Sequence, residues 1–361
     1  MINFIWPART RLPAGTGGSE NYTVGQVREL IRRGIPAQVV TVGLGVEDGR
    51  DEFIDIPFTS LATPADIGTL AGTIVLVNQA SEAINTTAET PAFVIMHIPP
   101  PLREKGRAAV IRSLEGRNLI TTSQYAAKLW ADYVPRDVND IRVAYPFAEP
   151  CFATVIRRPN PKKTIRILFA GRLSAQKGIY TFLEALHLDI IVDNPSLTFT
   201  VTTAGADKPE GKIIQMLVNA HPNVTVIPAR KTPAAMAELM AAHDIIVMPS
   251  NSQYWHETFG IVSIEAQHSG CWVVASNDGG LPETNCGGVI LVTPDDPEAL
   301  AQGIQKAIDK GPLPDSIRRK AVNLFTVEQS VDNLLKVLFP AEELIVQPIK
   351  KIVLKSSIKI I

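Results

Sequence analysis

Two positive side chains stand close together where the sequence predicts a loop after a strand. Arg172 and Lys177 lie five residues apart in the segment AGRLSAQKG, directly after the apolar run 165–170. Arginine offers a planar fork of donors and lysine a compact point charge, so together they could neutralise a diphosphate. Two solvated surface cations are the ordinary alternative. Phosphate binding is favoured over this alternative, because ligands of open parallel sheets bind beyond the carboxyl ends of strands.

Two glutamates flank a predicted loop-to-helix joint in the second half of the chain. Seven residues separate Glu257 from Glu265, and Gly260 between them permits close backbone approach where the helix begins. The free amides of that first turn could face a phosphate or sugar hydroxyls, and a carboxylate can accept two ribose hydroxyls. An ordinary helix-start glutamate and a surface glutamate are the alternative. However, Glu265 belongs to an apolar helix face, where a charge needs a partner.

A glycine-rich segment, GTGGSE at residues 15–20, follows the first apolar run and precedes a predicted helix at 20–33. Gly17 and Gly18 would let the backbone approach an anion closely, and the helix would offer its N-terminal amides. The spacing does not fit the G-x-G-x-x-G dinucleotide fingerprint, and no Lys-Ser or Lys-Thr pair follows as in a P-loop. A flexible turn is the alternative for this segment taken alone.

One histidine, His97, ends an apolar run and precedes Ile-Pro-Pro-Pro. This position predicts a side chain at the carboxyl end of a strand, facing the cleft where ligands bind. A lone histidine at a strand end is more often structural. We favour a functional role for His97 and interpret the other five histidines as surface or packing residues.

The candidate residues lie at the ends of apolar runs that alternate with helical patterns. Several runs are continuous rather than alternating, which is typical of strands covered on both faces. The predicted strands are 2–6, 37–42, 53–56, 73–77, 93–97, 119–122 and 141–145, and then 165–170, 199–204, 224–228, 245–248, 272–275 and 289–292. The sequence therefore predicts an α/β protein with two Rossmann-like domains that face each other across a cleft.

Domain boundaries follow from the composition of two segments. A proline-rich, basic stretch at 147–163 indicates a linker, so we assign residues 1–150 to the first domain and 151–335 to the second. Residues 336–361 form a tail, and its last part, LIVQPIKKIVLKSSIKII, is apolar and carries four lysines. Packing of the tail on the first domain is favoured over contact with an anionic membrane surface, because its sequence shows no clear amphipathic period.

Composition excludes several classes of protein. The net charge of −1 gives no sign of nucleic-acid binding, and three scattered cysteines are too few for a disulfide framework or a zinc site. The N-terminal apolar core is too short for a signal peptide, and no run of about 18 apolar residues predicts a membrane span. We predict a cytoplasmic protein and leave open a peripheral contact with the inner face of a membrane. A basic stretch in the first domain is interpreted as a solvated helix face rather than an acceptor or membrane site: Arg103, Lys105, Arg107, Arg112 and Arg117.

As a set, these motifs resemble those of family 4 glycosyltransferases, the retaining nucleotide-sugar enzymes of the GT-B fold. The resemblance rests on GRLSAQKG and on MPSNSQYWHETFGIVSIEAQHSGCWVVASNDGGLPE, with its Pro-Ser pair, Glu-x7-Glu spacing, Phe-Gly pair and Gly-Gly-x-Pro-Glu end. It extends to the GTGGSE loop, to His97 and to Thr121–Ser123, and so covers nearly the whole chain. The C-terminal motifs are highly specific as a set, and the N-terminal ones are weaker.

The resemblance implies a role for each matched residue. It implies that the donor is bound by Gly17, Gly18, Arg172, Lys177, Glu257, Thr258, Phe259, Gly260, Ile261 and Glu265. The two cations would bind the diphosphate, and the two glycines would lie against it from across the cleft. Glu257 and the backbone of 258–261 would hold sugar hydroxyls, Glu265 ribose hydroxyls, and His97 would lie near the reacting carbon. The base would stack near 227–231, where Ala229 replaces the usual glycine. Trp255 and His256 form an unusually bulky approach to Glu257.

The implied reaction transfers a sugar, with retention, from a UDP- or GDP-sugar to an acceptor hydroxyl. The acceptor would be a glycan, a lipid-linked or a small molecule, bound mainly by the first domain. The sequence contains no Asp-x-Asp metal motif, and we expect neither metal nor cofactor. The alternatives are a nucleotide-sugar epimerase on the same fold and a non-catalytic nucleotide-sugar-binding protein. Because both domains contribute residues, we expect the site to be complete only when the cleft closes, and its halves to lie apart without ligand.

Overall fold

The computed structural model of the protein describes residues 1–12, 17–87, 90–101, 105–157, 160, 164–253 and 255–340. Within these ranges the chain forms two parallel sheets, each flanked by helices. None of the helices in the described part is long and apolar enough to cross a membrane.

The first sheet has seven parallel strands in the order β3-β2-β1-β4-β5-β6-β7. Its strands are β1 (Ile2–Ile5), β2 (Ala37–Val42), β3 (Phe58–Leu61), β4 (Thr73–Val77), β5 (Ala92–Met96), β6 (Asn118–Thr121) and β7 (Arg142–Val143). Its helices are α1 (Gly18–Arg32), α2 (Arg107–Leu114) and α3 (Gln124–Tyr133). Every residue of β1, β4 and β5 is buried, as expected where both faces of a parallel sheet are covered.

A short helix, α4 (Pro150–Thr154), leads into the second sheet of six parallel strands, ordered β10-β9-β8-β11-β12-β13. Its strands are β8 (Ile165–Phe169), β9 (Leu197–Thr202), β10 (Val224–Ile227), β11 (Ile245–Met248), β12 (Trp272–Ser276) and β13 (Val289–Val292). Its helices are α5 (Ile179–Ala185), α6 (Asp189–Val192), α7 (Pro209–Ala220), α8 (Pro233–Ala241), α9 (Ile261–His268), α10 (Pro297–Asp309) and α11 (Asp315–Ala321). The predicted pair of Rossmann-like α/β domains is confirmed.

The last helix of the described ranges, α12 (Val327–Leu338), packs on the first domain rather than the second. Val331, Leu334 and Leu338 are buried in the core that also holds Tyr22 and Leu30 of α1. Burial of each such side chain contributes about 1.5–3 kcal/mol. The return to the first domain thus starts ahead of the 336–361 segment in which the sequence analysis placed it. Residues 341–361 lie outside the described part of the chain.

The strand predicted at 53–56 is wrong. Phe53 and Ile56 are buried, but they lie in a turn after a 3-10 helix at Arg50–Glu52, and Ile54 between them is 93% exposed. The strand forms five residues later, as β3, which pairs with β2. Apolar side chains that fill a core from a turn resemble a short strand in sequence.

Candidate active site

The loops after β8 and β11 bring an ammonium group and a carboxylate together. Lys177 ends the 3-10 turn Ala175–Lys177, and its Nζ forms an ion pair with Glu257 Oε1. Ser250 Oγ donates to the same oxygen at 3.1 Å. Burial opposes ionisation of Glu257, but the Lys177 charge and the two hydrogen bonds outweigh it, so the pKa of Glu257 lies below its usual value. At neutral pH the site therefore holds a buried anion paired with a cation.

Arg172 lies in the same loop as Lys177, and its charge acts on carboxylates of both domains. Its positive charge lowers the pKa of Glu257, and it also opposes the rise that burial gives to the pKa of Glu20 in the first turn of α1. The Glu20 carboxylate in turn lies against the backbone at Gly17. Arg172 is exposed, so its guanidinium is accessible at the junction of the domains.

The segment from Thr258 to Ile261 turns the chain into α9. Gly260 adopts a left-handed conformation with φ 98° and precedes the first helical residue, Ile261. A Cβ at Gly260 would lie 2.6 Å from Leu281 Cδ2, which only glycine avoids. Phe259 is buried beneath the turn. The first-turn amides of a helix have no intrahelical partner, so this turn presents donors and a positive dipole end next to the Lys177–Glu257 pair.

Glu265 is buried on α9, and no hydrogen bond to its carboxylate is found among the described residues. Burial, together with the nearby carboxylate of Glu149, raises the pKa of Glu265 to about 8. Glu149 and Lys231 line a cavity of about 380 Å³ between α1 and the start of α8. The predicted base region at 227–231 thus borders this cavity, with Ile227 at the end of β10.

The raised pKa of Glu265 predicts a stability gain when its charge is removed. An acid whose pKa is raised on folding stabilises the fold fully below its unfolded pKa, near 4.3, and loses this contribution as pH rises through about 8. We therefore expect Glu265→Gln to unfold at higher urea concentration than wild type at pH 9 and to differ little at pH 4. Equal urea midpoints for Glu265→Gln and wild type at pH 9 would contradict the interpretation that Glu265 is a buried carboxylate without a partner. Glu298→Gln, an exposed position, is the control.

Residues of the first domain approach this site from the opposite side. Gly17 precedes α1, and a Cβ at Gly18 would lie 3.0 Å from Ile261 Cδ1, so the glycine permits close approach of α1 to α9. Residues 13–16, which include Gly15 of the predicted loop, lie outside the described ranges. His97 follows β5, and its carbonyl accepts a 2.7 Å hydrogen bond from Thr258 Oγ1.

The imidazole of His97 is held as a neutral ring. Its ring packs edge-on against Tyr22, with centroids 4.6 Å apart. Its Nε2 is shielded from solvent and has no hydrogen-bond partner among the described residues. Burial lowers the pKa of His97 to about 3. At neutral pH the ring could donate or accept one hydrogen bond but carries no charge.

The two halves of the site are joined, which differs from the expectation that they lie apart. Besides the Thr258 bond to His97, Ser123 Oγ donates to the Thr258 carbonyl. The Glu283 carboxylate accepts from the backbone N–H groups of Gln124 and Tyr125 at 2.9 and 2.8 Å. The structure thus brings the predicted residues of both domains to one junction, with the loop at 257–258 fastened to the first domain.

Sequence reasoning missed several residues that support the site. Asn78 follows β4 in a left-handed conformation (φ 54°), and its Oδ1 accepts from the His97 amide at 2.7 Å. Glu210 Oε1 accepts from the Ala175 amide at 2.8 Å in the loop that carries Lys177. Gly279 and Gly280 were noted only as part of the Gly-Gly-x-Pro-Glu motif, but they lie directly against the backbone of 257–258, where a Cβ would clash. Asparagine tolerates this backbone region, but the sequence holds no signal that points Asn78 at His97.

The basic stretch of the first domain is partly structural. Arg107 and Arg117 donate to carbonyl groups of Tyr133 and Thr86, each at 2.7 Å. Arg103 lies outside the described residues. No group of three or more His, Cys, Asp and Glu side chains within the described ranges is arranged to hold a metal ion.

Two parallel α/β domains, a site at their junction and a C-terminal helix returning to the first domain define a protein of the GT-B type. Residues 154–323 match the family described as "Glycosyl transferases group 1". The second domain thus matches the group 1 glycosyltransferase family over nearly its whole length, which agrees with the predicted resemblance at the level of that group.

D-inositol 3-phosphate glycosyltransferases match part of the chain. A D-inositol 3-phosphate glycosyltransferase of Pseudarthrobacter chlorophenolicus is 32% identical over 193 residues, which cover 50% of this chain and 44% of that protein. One from Catenulispora acidiphila is 29% identical over 264 residues, covering 66% of this chain and 60% of that protein. The chain thus spans about half the length of the curated relatives it matches.

Solved structures share the whole fold. A glycosyltransferase from Rickettsia africae superposes with a TM-score of 0.76 at 16% identity, over 93% of this chain and 97% of that one. Anabaena HepE in complex with UDP-glucose superposes with a TM-score of 0.72 at 18% identity, over 94% and 99% of the two chains. These similarities show that the GT-B fold extends over both domains.

Proposed function

We propose that this protein transfers a sugar from a nucleoside diphosphate sugar to an acceptor hydroxyl. The observation that carries the proposal is the Lys177–Glu257 pair, set beside Arg172 and the first turn of α9 where the two domains meet. A diphosphate leaving group needs positive charge fixed in advance, and two cations with helix-start amides supply it. We propose a UDP-sugar as the first donor to test, because Anabaena HepE is known in complex with UDP-glucose.

Lys177 and Glu257 are proposed to contact different parts of the donor. Glu257 is ionised and tied to Lys177, so in this proposal Lys177 is held between the carboxylate and the diphosphate. Glu257 retains free lone pairs that can accept sugar hydroxyls. The buried Glu265 interacts with Glu149, which lines the cavity that reaches Lys231. In this proposal Glu265 would accept the ribose hydroxyls, and the base would lie in that cavity.

Retention of configuration is part of the proposal. A double displacement needs a free carboxylate nucleophile, but Glu257 is occupied by Lys177 and Ser250. We therefore favour a same-face displacement in which the leaving phosphate takes the acceptor proton as the glycosidic bond forms. The neutral His97 is proposed to lie near the reacting carbon of the donor sugar. The acceptor is proposed to bind mainly to the first domain, and the names of the relatives make a polyol phosphate the first class to assay.

A thermal-shift panel of nucleoside diphosphates and their sugars tests donor binding. A ligand at 100 times its Kd should stabilise the native state by about 2.7 kcal/mol. We expect a shift in melting temperature with one base and its sugars only. No shift with any of them would overturn the proposal.

Product analysis separates transfer from the alternatives. With donor and acceptor together, NMR of the product should show a new glycosidic bond with the anomeric configuration of the donor. Conversion of the donor alone to another sugar would identify an epimerase. Binding without turnover, across a panel of acceptor hydroxyls, would indicate a nucleotide-sugar-binding protein.

A further inference from the structure

Glu283 connects the two domains although the proposed function gives it no task. It lies in the 3-10 turn Leu281–Thr284 that follows β12. Its Oε2 accepts from the Gln124 amide and from Tyr145 Oη, both at 2.9 Å, and its Oε1 accepts from the Tyr125 amide at 2.8 Å. The two amides open α3 of the first domain, and Tyr145 follows β7 near the end of that domain. One half-buried carboxylate thus binds three donors outside its own domain.

These bonds are not needed to cap α3. Ser123 already precedes the helix as its N-cap, and its Oγ accepts from the Ala126 amide at 2.9 Å. The first amides of a helix lack intrahelical partners, and a carboxylate at that end is favoured by the helix dipole. Here the carboxylate comes from a residue 158 positions away. The Glu283 interaction therefore holds one domain against the other.

The turn that carries Glu283 also contacts the loop at 257–258, which the proposed function assigns to the donor sugar. Gly280, at the start of that turn, donates its N–H to the Glu257 carbonyl at 2.7 Å. Thr258, next in the chain, exchanges hydrogen bonds with Ser123 and His97 of the first domain. A displacement of Glu283 from α3 would thus pass through Gly280 to the backbone of 257–258.

We propose that Glu283 is a positioning residue: its carboxylate latches the second domain to the N-terminus of α3 and so sets the closed arrangement in which Thr258 meets His97. Hydrogen bonds to a charged group are the stronger kind, and a lost one of this kind shifts an equilibrium about tenfold to hundredfold. Removal of the carboxylate should therefore populate an open arrangement without unfolding either domain.

Amide hydrogen exchange of the full chain measures directly whether Glu283 is bound to the first amides of α3. In Glu283→Ala we expect the amides of Gln124 and Tyr125 to exchange about tenfold to hundredfold faster than in wild type. The Ala126 amide, held by Ser123 within the same helix, should keep its rate and serves as the internal control. Equal acceleration of all three would indicate local unfolding of α3, and no change at any of them would show that the latch is not closed. Either result overturns the proposal.

Two further variants guard the interpretation. Tyr145→Phe removes one of the three donors and should give a smaller effect of the same sign, so it tests the latch even if Glu283→Ala does not fold. Glu298→Ala, an exposed carboxylate of the same domain, should leave exchange unchanged. Small-angle scattering should show a larger radius of gyration for Glu283→Ala only. A radius equal to that of wild type would contradict domain opening.

The kinetic consequence rests on the proposed function. If sugar transfer occurs, Glu283→Ala should raise the donor KM about tenfold or more, since the binding-competent closed state is less populated, while saturating donor should recover most of kcat. Exchange and scattering need no turnover. A chain without transferase activity would therefore still confirm or refute the latch.

Discussion

Replacement of Lys177 by alanine is expected to lower kcat/KM for the donor about 10²–10³-fold. The loss of one preorganised donor to a developing anion costs about 2.7–4 kcal/mol of transition-state stabilisation. The Lys177 ammonium pairs with Glu257, and the segment AGRLSAQKG holds no second lysine that could replace it. Steady-state kinetics with the donor identified by thermal shift measure the effect. Turnover near wild type would contradict the assignment.

The same substitution should destabilise the fold, because it leaves the Glu257 carboxylate buried without its partner. Removal of one member of a buried pair costs about 3–5 kcal/mol, and the lower end applies since the Lys177 side chain is 23% exposed. The loss should shrink in acid, where Glu257 can take up a proton. Urea denaturation at pH 7 and pH 4 measures both values.

Two companion variants separate activity from stability. Lys177→Ala combined with Glu257→Gln removes both charges, so it should recover much of the stability and none of the activity. Arg172→Ala should lose activity to a similar degree with little change in stability, because its side chain is exposed. If the double variant stayed as unstable as Lys177→Ala, the buried charge would not be the cause.

Alanine at Gly178 is expected to destabilise the second domain by more than about 3 kcal/mol. Gly178 adopts φ 70° and ψ 27°, where an L side chain costs about 1–2 kcal/mol. A Cβ there would also overlap the Pro249 carbonyl, so the backbone of the Lys177 loop or of the Ser250 loop must move. Since those loops hold the Lys177–Glu257 pair, activity should fall with stability.

Gly34→Ala provides the matched control for Gly178. Gly34 has a similar φ of 75°, but a Cβ there would meet nothing within 4 Å. Gly34→Ala should therefore lower the free energy of unfolding only by the cost of the left-handed backbone conformation, about 1–2 kcal/mol. The difference between the two variants in urea denaturation measures the clash with Pro249. Equal losses of stability in Gly178→Ala and Gly34→Ala would mean that the backbone near Pro249 moves aside at no cost.

The sequence was informative where local chemistry determines structure. Continuous apolar runs marked most strands, because both faces of a parallel sheet are buried. The Glu-x7-Glu spacing placed Glu257 before α9 and Glu265 within it, since Gly260 sets the helix start. The same logic failed at Phe53 and Ile56, which are buried from a turn.

Partners that are distant in sequence were beyond such reasoning. Glu283 ended a recognised motif, yet its binding to the α3 amides depends on how the domains pack. Asn78 reaches His97 only because β4 and β5 are neighbours in the first sheet. Similarly, His256 appeared as a bulky neighbour of Glu257, but its Nδ1 lies 2.7 Å from Asp278 Oδ2, a pairing of residues on two different loops.

The return of α12 to the first domain sets the order in which the protein can mature on the ribosome. Val331, Leu334 and Leu338 complete the apolar core around Tyr22 and Leu30, but the whole second domain is synthesised between these two groups. At bacterial or eukaryotic elongation speeds the synthesis of the chain between Leu30 and Val331 lasts roughly 15–60 s. During that time the face of α1 that α12 will cover lacks this partner, so a nascent first domain presents an apolar surface to chaperones until α12 has been translated.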